Sequence, residues 1–117
     1  MYQGNVVLCG CNSYEQKFYL NDNFNGLPQT IKDELKIMCV LYTEDVGGVV
    51  TLEFEEDGHL IFQVTSQEED YLFDEIGSVL KMKQLQAEKR ELFETLEIYY
   101  KVFFLNEEIN DLLSDEE

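Results

Sequence analysis

Tryptophan is absent from this 117-residue chain, proline and histidine occur once each, and only 8 Lys+Arg stand against 25 Asp+Glu. The shortage of basic residues leaves a formal net charge of −17. Such a chain has little with which to bind nucleic acid or an anionic membrane by charge, because phosphates are held by Lys and Arg. No apolar run approaches the roughly 18 residues of a membrane-spanning helix. The start, Met1-Tyr2-Gln3-Gly4-Asn5, carries neither the basic cluster nor the apolar stretch of a secretory signal. Cysteine is scarce and odd in number (Cys9, Cys11 and Cys39), which argues against a disulfide framework. A cytoplasmic protein is the expectation. No Pro-, Gly- or Ser-rich linker divides the chain, so it reads as one domain over 1–105 followed by an acidic tail, 106–117.

What is present is a core. Hydrophobic residues make up 44% of the chain, with 7 Tyr and 8 Phe, enough to oppose disorder in spite of the charge. A chain of this length buries roughly two thirds of its unfolded surface.

Residues 5–11 and 14–20 read as two strands around an Asn12-Ser13 turn, with Cys9 and Cys11 on one face. Pro28 suits the first turn of a helix, and Ile31, Leu35, Met38, Leu41 and Tyr42 follow at helical spacing, so a helix is predicted over 28–46, ended by Gly47-Gly48. A second hairpin alternates Val50, Leu52 and Phe54, then Leu60, Phe62 and Val64, on one side. Its turn, Glu56-Asp57-Gly58, fits a type I turn with a left-handed glycine.

Ser66-Gln67-Glu68-Glu69 has capping-box spacing. It opens a long helical region, about 67–105, striped by Leu72, Ile76, Val79 and Leu80 and continuing to Phe103. Gly77 is a candidate kink, and the polar segment 81–91 is either an exposed helix middle or a joint between two helices. The predicted fold is therefore α+β in the order ββαββα: an antiparallel four-stranded sheet with two helices, one long and C-terminal, on its apolar face.

Ile31-Lys-Asp-Glu-Leu-Lys-Ile-Met-Cys-Val-Leu-Tyr-Thr-Glu-Asp-Val-Gly-Gly48, with Glu55-Glu-Asp-Gly58, Tyr71-Leu-Phe-Asp-Glu-Ile-Gly77 and Glu88-Lys-Arg-Glu-Leu-Phe-Glu94, resembles a family of small acidic proteins from clostridial-type Gram-positive bacteria. That family is a domain of unknown function. The resemblance covers most of 5–105 and implies a bacterial, cytoplasmic protein, but brings no catalytic motif, cofactor or partner.

The residues themselves nominate no catalytic, cofactor-binding or metal-binding group. Asn21, Asn23, Asn25 and Gly26 imitate a calcium loop, yet position one is Asn and position twelve is Lys32, where calcium needs charged oxygens; a plain loop is the simpler interpretation. His59 sits beside an acidic turn without an evident nucleophile, and the carboxylate pairs Glu44/Asp45, Glu53/Glu55 and Asp74/Glu75 are unspecific in so acidic a chain. Three cysteines and one histidine without C-x2-C spacing make a poor zinc site.

The aromatic end of the C-terminal helix is the main candidate: Phe93, Tyr99, Tyr100, Phe103 and Phe104 widen the stripe beyond a narrow seam. They either cover the sheet or meet a partner. The leading expectation is a non-catalytic protein-interaction module, homodimeric or chaperone-like. The alternative is a small-ligand or regulatory domain with an aromatic-lined pocket. An acidic mimic of nucleic acid is less favoured because the carboxylates are scattered.

Overall fold

The computed structural model describes residues 4–106. Strands β1 (Val6–Asn12) and β2 (Lys17–Leu20) are followed by a 3₁₀ turn (Asp22–Phe24) and helix α1 (Gln29–Val46). Strands β3 (Val49–Phe54) and β4 (Leu60–Thr65) precede helices α2 (Glu75–Glu88) and α3 (Arg90–Phe103). The architecture is α+β with one four-stranded antiparallel sheet of order β2-β1-β3-β4. The first strand of each hairpin thus lies at the centre, and the two hairpins join through β1 and β3.

Register explains which side is apolar. Cys9 pairs with Leu52 and Cys11 with Val50, while Leu52 and Val50 face Phe62 and Val64 across the other ladder. Directly opposed residues share a face, so these side chains form one wall, and all four β1/β3 members of it are buried. The shift between Val7 and Cys9 inserts Leu8 as a bulge. One extra residue lets neighbouring side chains both turn inward: Leu8 and Cys9 are each 0% exposed. The opposite face carries Val49, Thr51, Glu53, Ile61 and Gln63, only partly shielded.

The first hairpin turns later than expected. Asn12 belongs to β1, and residues 13–16 form the turn. The Asn12 side chain accepts from the Tyr14 and Glu15 amides at 2.9 and 3.2 Å, an Asx turn that spends the residue on its own backbone. The second hairpin is as predicted: the Gly58 amide donates to Glu55 O at 2.8 Å, and Gly58 has φ +94°.

Helix α1 starts behind Pro28 and ends at Gly47, φ +80°. It packs over β1 and β2 through Cys39 and Thr43, which meet Cys9 and Cys11. Helix α3 covers the β3/β4 half: Tyr100 stacks on Phe54 at 4.3 Å between centroids, and Phe93 meets Phe62 edge-on at 5.6 Å. Helix α2 lies against α1, joined by Tyr42 Oη to Ser78 O (2.9 Å), Lys81 to Asp45 (3.0 Å) and Lys89 to Glu34 (3.0 Å).

The C-terminal region departs from expectation in two ways. It contains two helices instead of one, giving three α-helices among the described residues, with the break at Lys89 (φ −108°, ψ 26°) and not at Gly77. The polar segment is therefore a joint. Residues 66–74 are also not helical, so Ser66 and Glu69 make no capping box. The cause is tertiary. Tyr14 Oη accepts from the Gln67 amide (3.0 Å) and donates to Asp70 (2.5 Å), and the Asp74 amide donates to Val46 O (3.2 Å). These anchors hold the segment in successive turns until Asp74 caps α2 by accepting from the Gly77 amide at 2.8 Å. Gly77 is there because a Cβ would strike the capping carboxylate. The acidic tail from 107 onward lies outside the described residues.

Candidate functional site

The five aromatic candidates do not form one surface. Phe93 and Tyr100 are buried, Tyr99 and Phe104 are half-buried, and Phe103 alone is open, at 68% exposure. The rings other than Phe103 pack into the interior. Phe24, from the Asn-rich loop, is fully buried among them, with its ring 4.7 Å from Phe104, 5.6 Å from Phe54 and 6.4 Å from Tyr99 and Tyr100. The loop that imitates a calcium site is thus a plug for the aromatic core. Asn21 serves it structurally, accepting from the Asn23 amide and donating to Val7 O at 2.7 Å.

Exposed apolar surface lies at the other end of the C-terminal region. Tyr71, Leu72, Ile76, Val79 and Leu80 are 92, 93, 76, 46 and 63% exposed. The last four are the stripe that the periodicity assigns to the core. The stripe exists, but α2 turns a different face inward: Ser78 and Leu85 are its buried residues. Tyr71 and Leu72 are nevertheless held in place. One Asp70 oxygen accepts from Tyr14 Oη and the other from the Leu72 amide at 3.0 Å. Beside them Phe73 turns inward against Gly48. Two large apolar side chains are therefore displayed on an anchored turn.

The chain's single histidine has a defined partner. His59 Nδ1 lies 3.2 Å from Glu97 Oε2, and that oxygen also accepts from the Leu60 amide at 2.8 Å. The pair opens on a shallow cleft of about 330 Å³ with Arg90 and Glu94 on its lining. A carboxylate on Nδ1 orients the ring and leaves Nε2 outward. Among the described residues the cleft lining holds no serine, threonine, cysteine or lysine. His59 beside its acidic turn is legible in the sequence, whereas Glu97 is not, because only the packing of α3 on β4 brings it near.

The three cysteines are buried and free. Cys9 Sγ is 3.9 Å from Cys39 Sγ, and Cys11 Sγ is 3.5 Å from Thr43 Oγ1. The hydrogen bond with Cys39, together with burial, pushes the Cys9 thiol well above its ordinary range. Tyr14 is raised by its bond to Asp70, and Tyr42 and Tyr100 by burial. An acid whose folded pKa is raised contributes stability that is complete below its unfolded value and is lost as pH rises. Resistance to urea is therefore expected to hold at neutral pH and fall as pH climbs through roughly 9–11, where free thiols and phenols ionise. A midpoint unchanged at pH 11 would contradict this.

Residues 5–108 match the model of a family of unknown function (DUF6145). No curated protein and no solved structure is significantly similar to the chain.

Proposed function

The chain belongs to the DUF6145 family of unknown function, which assigns it no chemistry, and we propose that it is a protein-interaction module that pairs with a second copy of itself through the outward face of α2. The setting proposed is the cytoplasm of a clostridial-type bacterium, where three buried thiols stay reduced. The observation that carries this reading is the exposure of Tyr71, Leu72, Ile76, Val79 and Leu80 together. Single exposed apolar residues are ordinary, whereas several gathered on one helix face, as Ile76, Val79 and Leu80 are by their spacing, mark a contact surface.

Size favours a second copy. At the areas typical of such side chains, the exposed fractions amount to roughly 500 Å² of apolar surface. A stable interface takes about 800 Å² per partner, of which roughly 60% is apolar. The patch is therefore of the right size without help from the rest of the chain. We take the two-fold axis to lie perpendicular to α2, which sets the helix antiparallel to its copy. That geometry faces the acidic approach to one helix (Glu68, Glu69, Glu75) with Lys83 of the other. The Asp70 anchor lowers the ordering cost, since Tyr71 and Leu72 are already placed.

Sedimentation velocity at tens of micromolar tests the proposal. The expected result is a species of twice the chain mass that becomes monomeric in the double variant Leu72→Glu, Ile76→Glu, with an unchanged circular dichroism spectrum. Both positions are exposed, so the fold does not depend on them. A wild-type protein that stays monomeric, or a dimer indifferent to both substitutions, would sink it.

A further inference from the structure

A cleft of about 590 Å³ lies between the turn of the first hairpin and α1, on the side away from α2. Cys11 and Thr43, 7 and 5% exposed, form its deepest part. Phe18 and Val40, half-buried, supply apolar surface, and the exposed residues Lys17, Lys36 and Glu44 stand around it. Its volume falls in the range of small-molecule sites, which combine apolar walls with a few convergent polar groups.

The charges are unusual for this chain. With 25 acids against 8 bases overall, a random patch of surface is acidic, yet this cleft gathers two lysines and one glutamate. Lys81 and Lys89 are engaged by Asp45 and Glu34. Among the described residues neither Lys17 nor Lys36 has such a partner. Nor does Glu44 neutralise either lysine, although all three line the same space.

We propose that this cleft binds a small carboxylic acid of the amino-acid type. Two ammonium groups and one carboxylate complement a ligand that carries a carboxylate and an ammonium. The lysines take the carboxylate, Glu44 takes the ammonium, and the ligand's side chain lies against Phe18 and Val40. A simple dianion such as phosphate would also meet the lysines, but it would be opposed by Glu44, a like charge at close range. The apolar wall would gain nothing from it either. This site shares no residue with the self-association surface and stands or falls independently of it.

Isothermal titration with each of the twenty L-amino acids, and separately with inorganic phosphate, tests the assignment on the full chain. At least one amino acid is expected to bind. Its affinity should fall by roughly tenfold or more in Lys17→Ala and in Lys36→Ala, the loss of one charge-assisted hydrogen bond. Amide resonances of Cys11, Lys36 and Thr43 should shift on addition. Glu44→Gln should weaken the amino acid while improving phosphate. Lys17, Lys36 and Glu44 are exposed, and an unchanged thermal midpoint of each variant verifies folding. Absence of binding by all twenty at 10 mM, or binding that survives the double lysine variant, overturns the proposal. So does phosphate binding more tightly than any amino acid to the unaltered protein.

Discussion

Replacing Phe24 by alanine is expected to lower the free energy of unfolding by about 3–5 kcal/mol, the range for deleting a buried phenyl ring. The residue belongs to a 3₁₀ turn in an Asn-rich loop, where substitutions are usually mild. Here the ring is 0% exposed and has four aromatic neighbours, Phe54, Tyr99, Tyr100 and Phe104. They come from β3, α3 and the segment just after it, which makes Phe24 the piece that fastens the first half of the chain to the second. Domains of this kind are stable by only about 5–15 kcal/mol, so the variant loses a large share of the total. Phe103→Ala is the matched comparison. That ring is 68% exposed and among the described aromatics touches Tyr99 alone, at 4.7 Å, and its loss is expected to cost under about 1 kcal/mol. Urea titration of both variants decides the point. Equal midpoints would mean that the aromatic cluster is not continuous through Phe24.

Gly48→Ala is expected to destabilise by about 2–4 kcal/mol, and Gly47→Ala by about half of that. Both glycines have positive φ, +76° and +80°, backbone regions that cost an L-residue about 1–3 kcal/mol. They differ in what surrounds them. A Cβ on Gly48 would lie 2.6 Å from the Thr65 carbonyl and 2.8 Å from the Phe73 ring, whereas on Gly47 nothing is nearer than 3.9 Å. The carbonyl belongs to β4 and cannot retreat without breaking strand pairing, so the clash adds about 1–3 kcal/mol at position 48 only. Parallel unfolding curves of the two variants test this, and a larger loss at Gly47 would contradict it. Neighbouring glycines that look alike in sequence are thus expected to differ in consequence.

Local rules made the hairpins and α1 readable before any coordinates. Val50, Leu52 and Phe54 alternate because one face of β3 is covered and the other is not. Pro28 and Gly47 mark the ends of α1 because one lacks an amide and the other tolerates positive φ. Tertiary contacts made the rest unreadable. Ser66 and Glu69 carry a capping signal that loses to Tyr14, more than fifty residues away. The stripe Leu72, Ile76, Val79 and Leu80 shows a helical face but not which way that face points. Its outward direction is set by Tyr42, Asp45 and Glu34 on α1, which grip Ser78, Lys81 and Lys89. The aromatic candidates divide between interior and surface for a related reason: Phe24 reads as part of a loop, so the stripe shows fewer interior partners in the sequence than it has in the fold. Glu97 and the cleft beside Lys36 depend on which elements become neighbours, and no spacing in the chain encodes that.

The central seam of the sheet has a kinetic consequence. Each hairpin closes across a few residues, but β1 and β3 join Val6 to Phe54 and Asn12 to Val49, a span of some forty residues bridged by β2 and α1. Closing so long a segment must precede any reward from the ladder, which slows folding relative to a helical protein of equal size. During synthesis, at about 5–20 residues per second, β1 therefore waits roughly 2–10 s with one edge unpaired before β3 exists to meet it. Throughout that interval the nascent first half carries Leu8, Phe24 and Tyr42 without the strands and helix that will later enclose them.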